Sequence, residues 1–199
     1  MKAKVKICGI TNIKDAFLAA DLGAYAVGFV FYKESKRYVS YDEVRKIAQK
    51  LPPFVVRVGV FVNEKPENVL AARGYCFLDR VQLHSDREDH GKRIIPGITI
   101  MAYRVKDGKD IEAARQSIAF PLLDSHVESV YGGSGSCFNW HLLKDFGRPY
   151  ILAGGINSEN IDEALTFKPY AIDIASGVEM RPGVKDPRKM RDIFNKVQG

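Results

Sequence analysis

The stretch Val5-Lys6-Ile7-Cys8-Gly9-Ile10-Thr11-Asn12 runs from a short apolar strand pattern through a glycine and into a helical segment, Asn12–Leu22. A second apolar run, Ala26–Phe31, follows at once. Strand, turn, helix and strand in that order form a βα unit, and the rest of the chain repeats it, which is the signature of a parallel sheet. Eight such runs are expected as strands: Val5–Gly9, Ala26–Phe31, Val56–Val62, Arg80–His84, Thr99–Val105, Phe120–Asp124, Tyr150–Ala153 and Ala171–Ile174. Helical patterns lie between them, as at Ser40–Lys50, where Ser40 and Glu43 have capping-box spacing, and at Asn157–Thr166. The last helix carries Met190, Ile193, Phe194 and Val197 on one face of a 3.6-residue period. Asp86–Lys92 and Asp107–Gln116 read as short or irregular helices.

No linker or compositional break divides the chain, so residues 1–199 are expected to form a single domain. Eight strands in one domain favour an α/β fold of the closed (β/α)8 TIM-barrel type over an open doubly wound sheet, although 199 residues is short for such a barrel. Either architecture gathers its chemistry at the carboxyl ends of the strands.

The composition is that of an ordinary globular protein. No apolar run approaches ~20 residues and no signal-peptide pattern precedes the first strand, which predicts a cytoplasmic protein without membrane association. Cys8, Cys76 and Cys137 are an odd number without a close pair and are expected as reduced thiols. A net charge of +6 raises the question of nucleic acid, but acidic residues are interspersed among the basic ones, as on solvated helix faces. A modest positive field suits a small anionic substrate better. His84, His90, His126 and His141 lack metal-ligand spacing, and no Walker or GxGxxG motif is present, so neither a metal nor a nucleotide cofactor is expected. Monomer and homodimer are both compatible with the sequence.

At the strand ends, Cys8 and Asp124 offer a possible base and acid. A lone cysteine also serves as a small buried hydrophobe, and an aspartate at a helix start as a cap. Asp124 ends an apolar run, where a carboxylate must be paired, solvated or used. Arg37, in Ser35-Lys36-Arg37-Tyr38, has the planar fork that clamps a carboxylate, or else lies on the surface. His84 ends the fourth strand and is expected as a substrate-binding residue, one that could also face Cys8 and stabilise a thiolate. Two glycine turns, Ala153-Gly154-Gly155-Ile156-Asn157 and Ala175-Ser176-Gly177-Val178-Glu179, follow strands seven and eight, where barrels frequently bind phosphate through backbone N–H groups. Gly132-Gly133-Ser134-Gly135 is long for a βα turn and reads as a flexible connection or as a flap over substrate.

These segments, taken in order with Gly28-Phe29-Val30-Phe31, Gly59-Val60-Phe61-Val62-Asn63 and Val81-Gln82-Leu83-His84, resemble the phosphoribosylanthranilate isomerase family, (β/α)8 enzymes of tryptophan biosynthesis. The resemblance covers nearly the whole chain. It implies Cys8 as general base, Asp124 as general acid, Arg37 at the anthranilate part of the substrate, and Gly154, Gly155, Ser176 and Gly177 at the phosphate. It further implies an Amadori rearrangement of a phosphosugar without metal or redox cofactor. The chain departs from the family pattern at Ser136-Cys137-Phe138-Asn139-Trp140, where Lys-Thr-Phe-Asp-Trp is common, and at Ser85, where glycine is usual.

Overall fold

The computed structural model describes residues 2–84, 97–125 and 138–199. Eight parallel strands close into a barrel in chain order: β1 Lys4–Cys8, β2 Ala26–Val30, β3 Val56–Val62, β4 Arg80–His84, β5 Thr99–Val105, β6 Phe120–Ser125, β7 Ile151–Leu152 and β8 Ala171–Ile174. Closure is made by β1 on β8, with Lys6 opposite Asp173 and Ile7 opposite Ile174. The expected strands are therefore all present, β7 being shorter than its apolar run.

Side chains alternate between the two faces of a strand. On β1 that alternation sends Val5 and Ile7 outward into the layer beneath the helices, and turns Lys6 and Cys8 into the barrel. On β6 Leu123 faces outward while Leu122 and Asp124 face inward. Outside lie α1 Ile13–Asp21, α2 Tyr41–Ala48, α3 Pro66–Tyr75, α4 Gly108–Arg115, α5 Ile161–Thr166 and α6 Pro187–Gln198. The α6 face expected from the 3.6-residue period, Met190, Ile193, Phe194 and Val197, is the buried one.

Helix starts follow their caps. Asn12 Oδ1 accepts from the Asp15 N–H at 2.9 Å, and Ser40 Oγ accepts from the Glu43 N–H at 3.3 Å. The segment Asp107–Gln116, expected as a short or irregular helix, contains the short regular helix α4. Asp107 and Asp110 form a reciprocal capping box there, which satisfies N–H groups that a short helix otherwise leaves unpaired. The segment Asp86–Lys92 lies outside the described residues. Between β8 and α6 the sequence reading missed an antiparallel hairpin, β9 Glu179–Arg181 and β10 Val184–Lys185, which turns at Pro182-Gly183.

The barrel interior holds an apolar layer that includes Ala26, Val58, Leu122, Ile151 and Ala171. Nearer the mouth it becomes polar. Lys6 Nζ donates to Asp173 Oδ1 at 2.8 Å and, across the barrel, to Gln82 Oε1 at 3.0 Å. Both charges of the Lys6–Asp173 pair are almost wholly removed from water, and a buried pair that loses one member leaves the other uncompensated. Asp173→Ala is expected to lower stability by about 3–5 kcal/mol, which is roughly 6–20 °C in thermal midpoint for a chain of this length. Lys6→Met combined with Asp173→Leu should recover most of that loss. Thermal unfolding checks both, and an unchanged midpoint in Asp173→Ala would remove the pair from the account of stability.

Candidate active site

A cleft opens at the carboxyl ends of the strands. Among the expected site residues, Cys8, Arg37, His84, Asp124, Gly154, Gly155 and Ser176 all line it. Gly177 lines an adjoining depression together with Gly155, Ser176 and Lys189. The expected flap, Gly132, Gly133, Ser134 and Gly135, lies outside the described residues.

Cys8 and Asp124 are both buried, on β1 and β6. Burial pushes the Cys8 thiol above its ordinary range and the Asp173 carboxylate adds to it, while Lys6 and Lys185 pull the other way without prevailing. Burial and Asp173 thus outweigh the stabilisation of a thiolate by the neighbouring ammonium groups. Burial and Asp173 also raise Asp124, to about 6, against the opposing effects of the Ser125 N–H at 2.8 Å, Arg104 and Lys6. Two carboxyl groups in one low-dielectric site cannot both ionise cheaply. Asp173 is the one paired with an ammonium, and Asp124 is the one left to hold a proton.

His84 behaves differently from the expectation. Burial, Arg104 and Lys6 push it down to about 3, so its ring is neutral and does not act as a cation toward Cys8. Gln82 Nε2 lies 2.9 Å from His84 Nε2. Because Gln82 Oε1 accepts from Lys6, the amide nitrogen is the donor here, and His84 keeps its proton on Nδ1.

The fork of Arg37 is already engaged. Its Nε donates to Glu179 Oε1 at 2.8 Å and its Nη2 to Glu179 Oε2 at 2.7 Å. What remains for a ligand is the Nη1 edge and one Nη2 hydrogen.

Two glycines in the turns are set by close approach. Gly154 has φ +86°, and a Cβ there would lie 2.3 Å from Ser125 Oγ and 2.8 Å from Asp124 Oδ1. A side chain would press on Ser125 first and on the Asp124 carboxyl beside it. A Cβ on Gly177 would stand 2.0 Å from the Ile156 carbonyl oxygen, so this glycine lets the turn after β8 lie on the turn after β7. At the family departure, Asn139 accepts from the His141 N–H at 3.1 Å and caps the 3₁₀ turn Trp140–Leu143.

Sequence reasoning missed Lys6, Gln82 and Asp173, which lie within β1, β4 and β8 one or two residues before the strand ends, and missed Glu179 and Lys185 on the hairpin. The available signal was a polar residue at alternate positions of an otherwise apolar strand, as in Val5-Lys6-Ile7-Cys8 and Ile172-Asp173-Ile174. Among the described residues no group of three or more His, Cys, Asp or Glu side chains is placed to hold a metal ion, and no helix is long and apolar enough to cross a membrane.

Residues 5–196 match the family model described as N-(5'phosphoribosyl)anthranilate (PRA) isomerase. The N-(5'-phosphoribosyl)anthranilate isomerase of Thermotoga neapolitana is 44% identical over 98% of each chain. The crystal structure of phosphoribosyl anthranilate isomerase from Thermotoga maritima superposes with a TM-score of 0.87 at 40% identity, again over 98% of each chain. A crystal structure of phosphoribosyl anthranilate isomerase in complex with reduced 1-(o-carboxyphenylamino)-1-deoxyribulose 5-phosphate gives a TM-score of 0.84 at 40% identity and 98% of each chain. With one (β/α)8 architecture and a match along nearly its whole length, the chain belongs to the N-(5'-phosphoribosyl)anthranilate isomerase family.

Proposed function

We propose that this protein isomerises N-(5-phosphoribosyl)anthranilate to 1-(2-carboxyphenylamino)-1-deoxyribulose 5-phosphate, with Asp124 as general acid and Cys8 as general base. The observation that carries the reading is the buried Asp124 carboxyl, raised to about 6, in the same cleft as the Cys8 thiol. A carboxyl that retains its proton toward neutrality is the acid that ring opening requires.

Asp124 protonates the furanose ring oxygen, the C1–O bond breaks, and the nitrogen lone pair forms an iminium at C1. The Cys8 thiolate then removes the C2 proton, and the C–H electrons form the C1=C2 bond and neutralise the iminium. The resulting enol-enamine tautomerises, with a proton gained at C1 and one lost from the C2 oxygen, to the ketone. The thiolate is the minority form of Cys8 in the free protein because burial and Asp173 oppose it. The iminium cation is the charge that favours it at the moment it is needed. The turns at Gly154–Gly155 and Ser176–Gly177 hold the phosphate, and that anchoring orients the reacting carbons. Arg37 meets the anthranilate carboxylate with the donors that Glu179 leaves open, and neutral His84 supplies a hydrogen bond rather than a charge.

The two required protonation states set the pH dependence. Below about 6 Asp124 is protonated and the thiolate fraction limits, so kcat/KM rises with pH. Between that value and the raised thiol pKa, loss of the acid form and gain of thiolate cancel, giving a plateau. Above the thiol pKa the rate falls. Initial rates across pH 5–10 check this, and a profile without a break near 6 would separate Asp124 from the acid step.

Turnover is tested by adding freshly prepared phosphoribosylanthranilate and following the loss of its anthranilate fluorescence. No turnover by well-folded protein would overturn the isomerase reading.

A further inference from the structure

The reaction just described does not use Glu179, which closes the motif Ser176-Gly177-Val178-Glu179. It is buried at the start of β9. Its Oε1 accepts from Arg37 Nε at 2.8 Å, Lys185 Nζ at 3.0 Å and the Gly183 N–H at 3.2 Å, and its Oε2 accepts from Arg37 Nη2 at 2.7 Å. Lys185, on β10, has a side chain that is 0% exposed. Besides Glu179, its ammonium donates to the Cys8 carbonyl at 2.6 Å and the Ala175 carbonyl at 3.0 Å. One ammonium thus joins the residue that carries the thiol to the residue that leads into the β8 turn.

We propose that Glu179 is a positioning residue of the active site: it aims Arg37 at the substrate carboxylate, and Lys185, anchored on the Cys8 and Ala175 carbonyls, holds the Glu179 carboxylate in place. The proposal rests on the functional reading above, which assigns Arg37 its carboxylate and the turn its phosphate. Three physical points support it. A free arginine side chain samples many rotamers, and two parallel hydrogen bonds to one carboxylate hold the guanidinium in a single plane. Glu179 does not cancel the attraction of the site for an anion, because two cations face one carboxylate and leave a net positive cluster. The three protons of the Lys185 ammonium meet three acceptors, which a fully buried ammonium requires.

The carboxylate also stays ionised. Burial pushes Glu179 upward, but the Arg37 hydrogen bonds and Lys185 outweigh it and hold the group below its ordinary range.

The test is Glu179→Gln, which places an NH2 donor against the donors of Arg37 and Lys185. KM for phosphoribosylanthranilate should rise about 10- to 100-fold, the size of one charge-assisted hydrogen bond, with kcat changed only a few-fold. Inorganic phosphate should inhibit with an unchanged constant. In an Arg37→Ala background the same substitution should add little further loss, because Glu179 acts through Arg37. Arg37 Nε–H, assigned by NMR, should exchange slowly with water in the wild type and rapidly in the variant.

If Glu179→Gln folds poorly, Glu179→Asp keeps the charge, is too short to meet both Arg37 nitrogens, and should give the same KM shift. An unchanged KM in a folded variant, or a full additional loss on top of Arg37→Ala, would overturn the proposal. Wild-type protein that does not turn over substrate overturns the isomerase reading instead, and the exchange of Arg37 Nε–H still reports whether Glu179 holds the guanidinium.

Discussion

Asp124→Asn is expected to lower kcat/KM by about 10²–10⁴-fold, the usual worth of a positioned general acid, and at the same time to raise thermal stability above neutral pH. The first effect follows because asparagine has no proton to give the ring oxygen. The second follows from linkage. The folded pKa of Asp124, about 6, lies above its ordinary 3.8, so the folded state binds the proton more tightly than the unfolded one. The stability linked to that proton is fully present below about pH 4 and is lost as pH rises through about 6. At pH 8 the buried carboxylate is therefore a liability on the order of 3 kcal/mol. Asparagine keeps an oxygen to accept the Ser125 N–H and removes the charge. The midpoint should accordingly rise by several degrees at pH 8 and change little at pH 4. Steady-state rates and thermal unfolding at the two pH values check both halves. An inactive variant that is not stabilised at pH 8 would mean that Asp124 is not held in its protonated form by burial.

Cys8→Ser is expected to cost a comparable 10²–10⁴-fold in kcat while leaving the inhibition constant for inorganic phosphate nearly intact. Serine preserves the shape of the side chain, but its hydroxyl ionises far less readily than a thiol. A buried hydroxyl next to the Lys6–Asp173 pair is still less able to form the anion that takes the C2 proton. The loss should therefore lie in kcat, because the sugar is held at its phosphate, away from the reacting carbon. Near-normal turnover by Cys8→Ser would remove the thiol from the mechanism. A large loss of phosphate affinity would show that the substitution had instead disturbed the barrel mouth.

Much of the placement of this candidate site was legible in the sequence, for local reasons. Cys8 and Asp124 end apolar strands, and in a parallel barrel every strand ends at the same face. The glycine turns after β7 and β8 were visible because glycine marks sharp turns. Their glycines turned out to serve packing as well, Gly154 against Asp124 and Gly177 against the Ile156 carbonyl. The charge state of His84 was not legible, because it depends on burial beside Arg104 and Lys6, which come from other strands. The partner of Arg37 was hidden for the same reason, lying 142 residues away on a hairpin of two short strands that no periodicity announces. Lys6, Gln82 and Asp173 are not strand-end residues, but the alternation of side chains turns these earlier residues of the same strands into the barrel as well. That polar layer, with Asp173 as its carboxylate, contributes to the raised pKa of both Cys8 and Asp124.

The pairing of Cys8 with Asp124 is tested most directly by a crystal structure of this protein with the reduced product, 1-(o-carboxyphenylamino)-1-deoxyribulose 5-phosphate. The account predicts the Cys8 sulfur within van der Waals reach of C2, and the Asp124 carboxyl within hydrogen-bond reach of the oxygen that had closed the ring, on the opposite side of the sugar. A complex with both groups on one side of the chain, or with either out of reach of its atom, would contradict it.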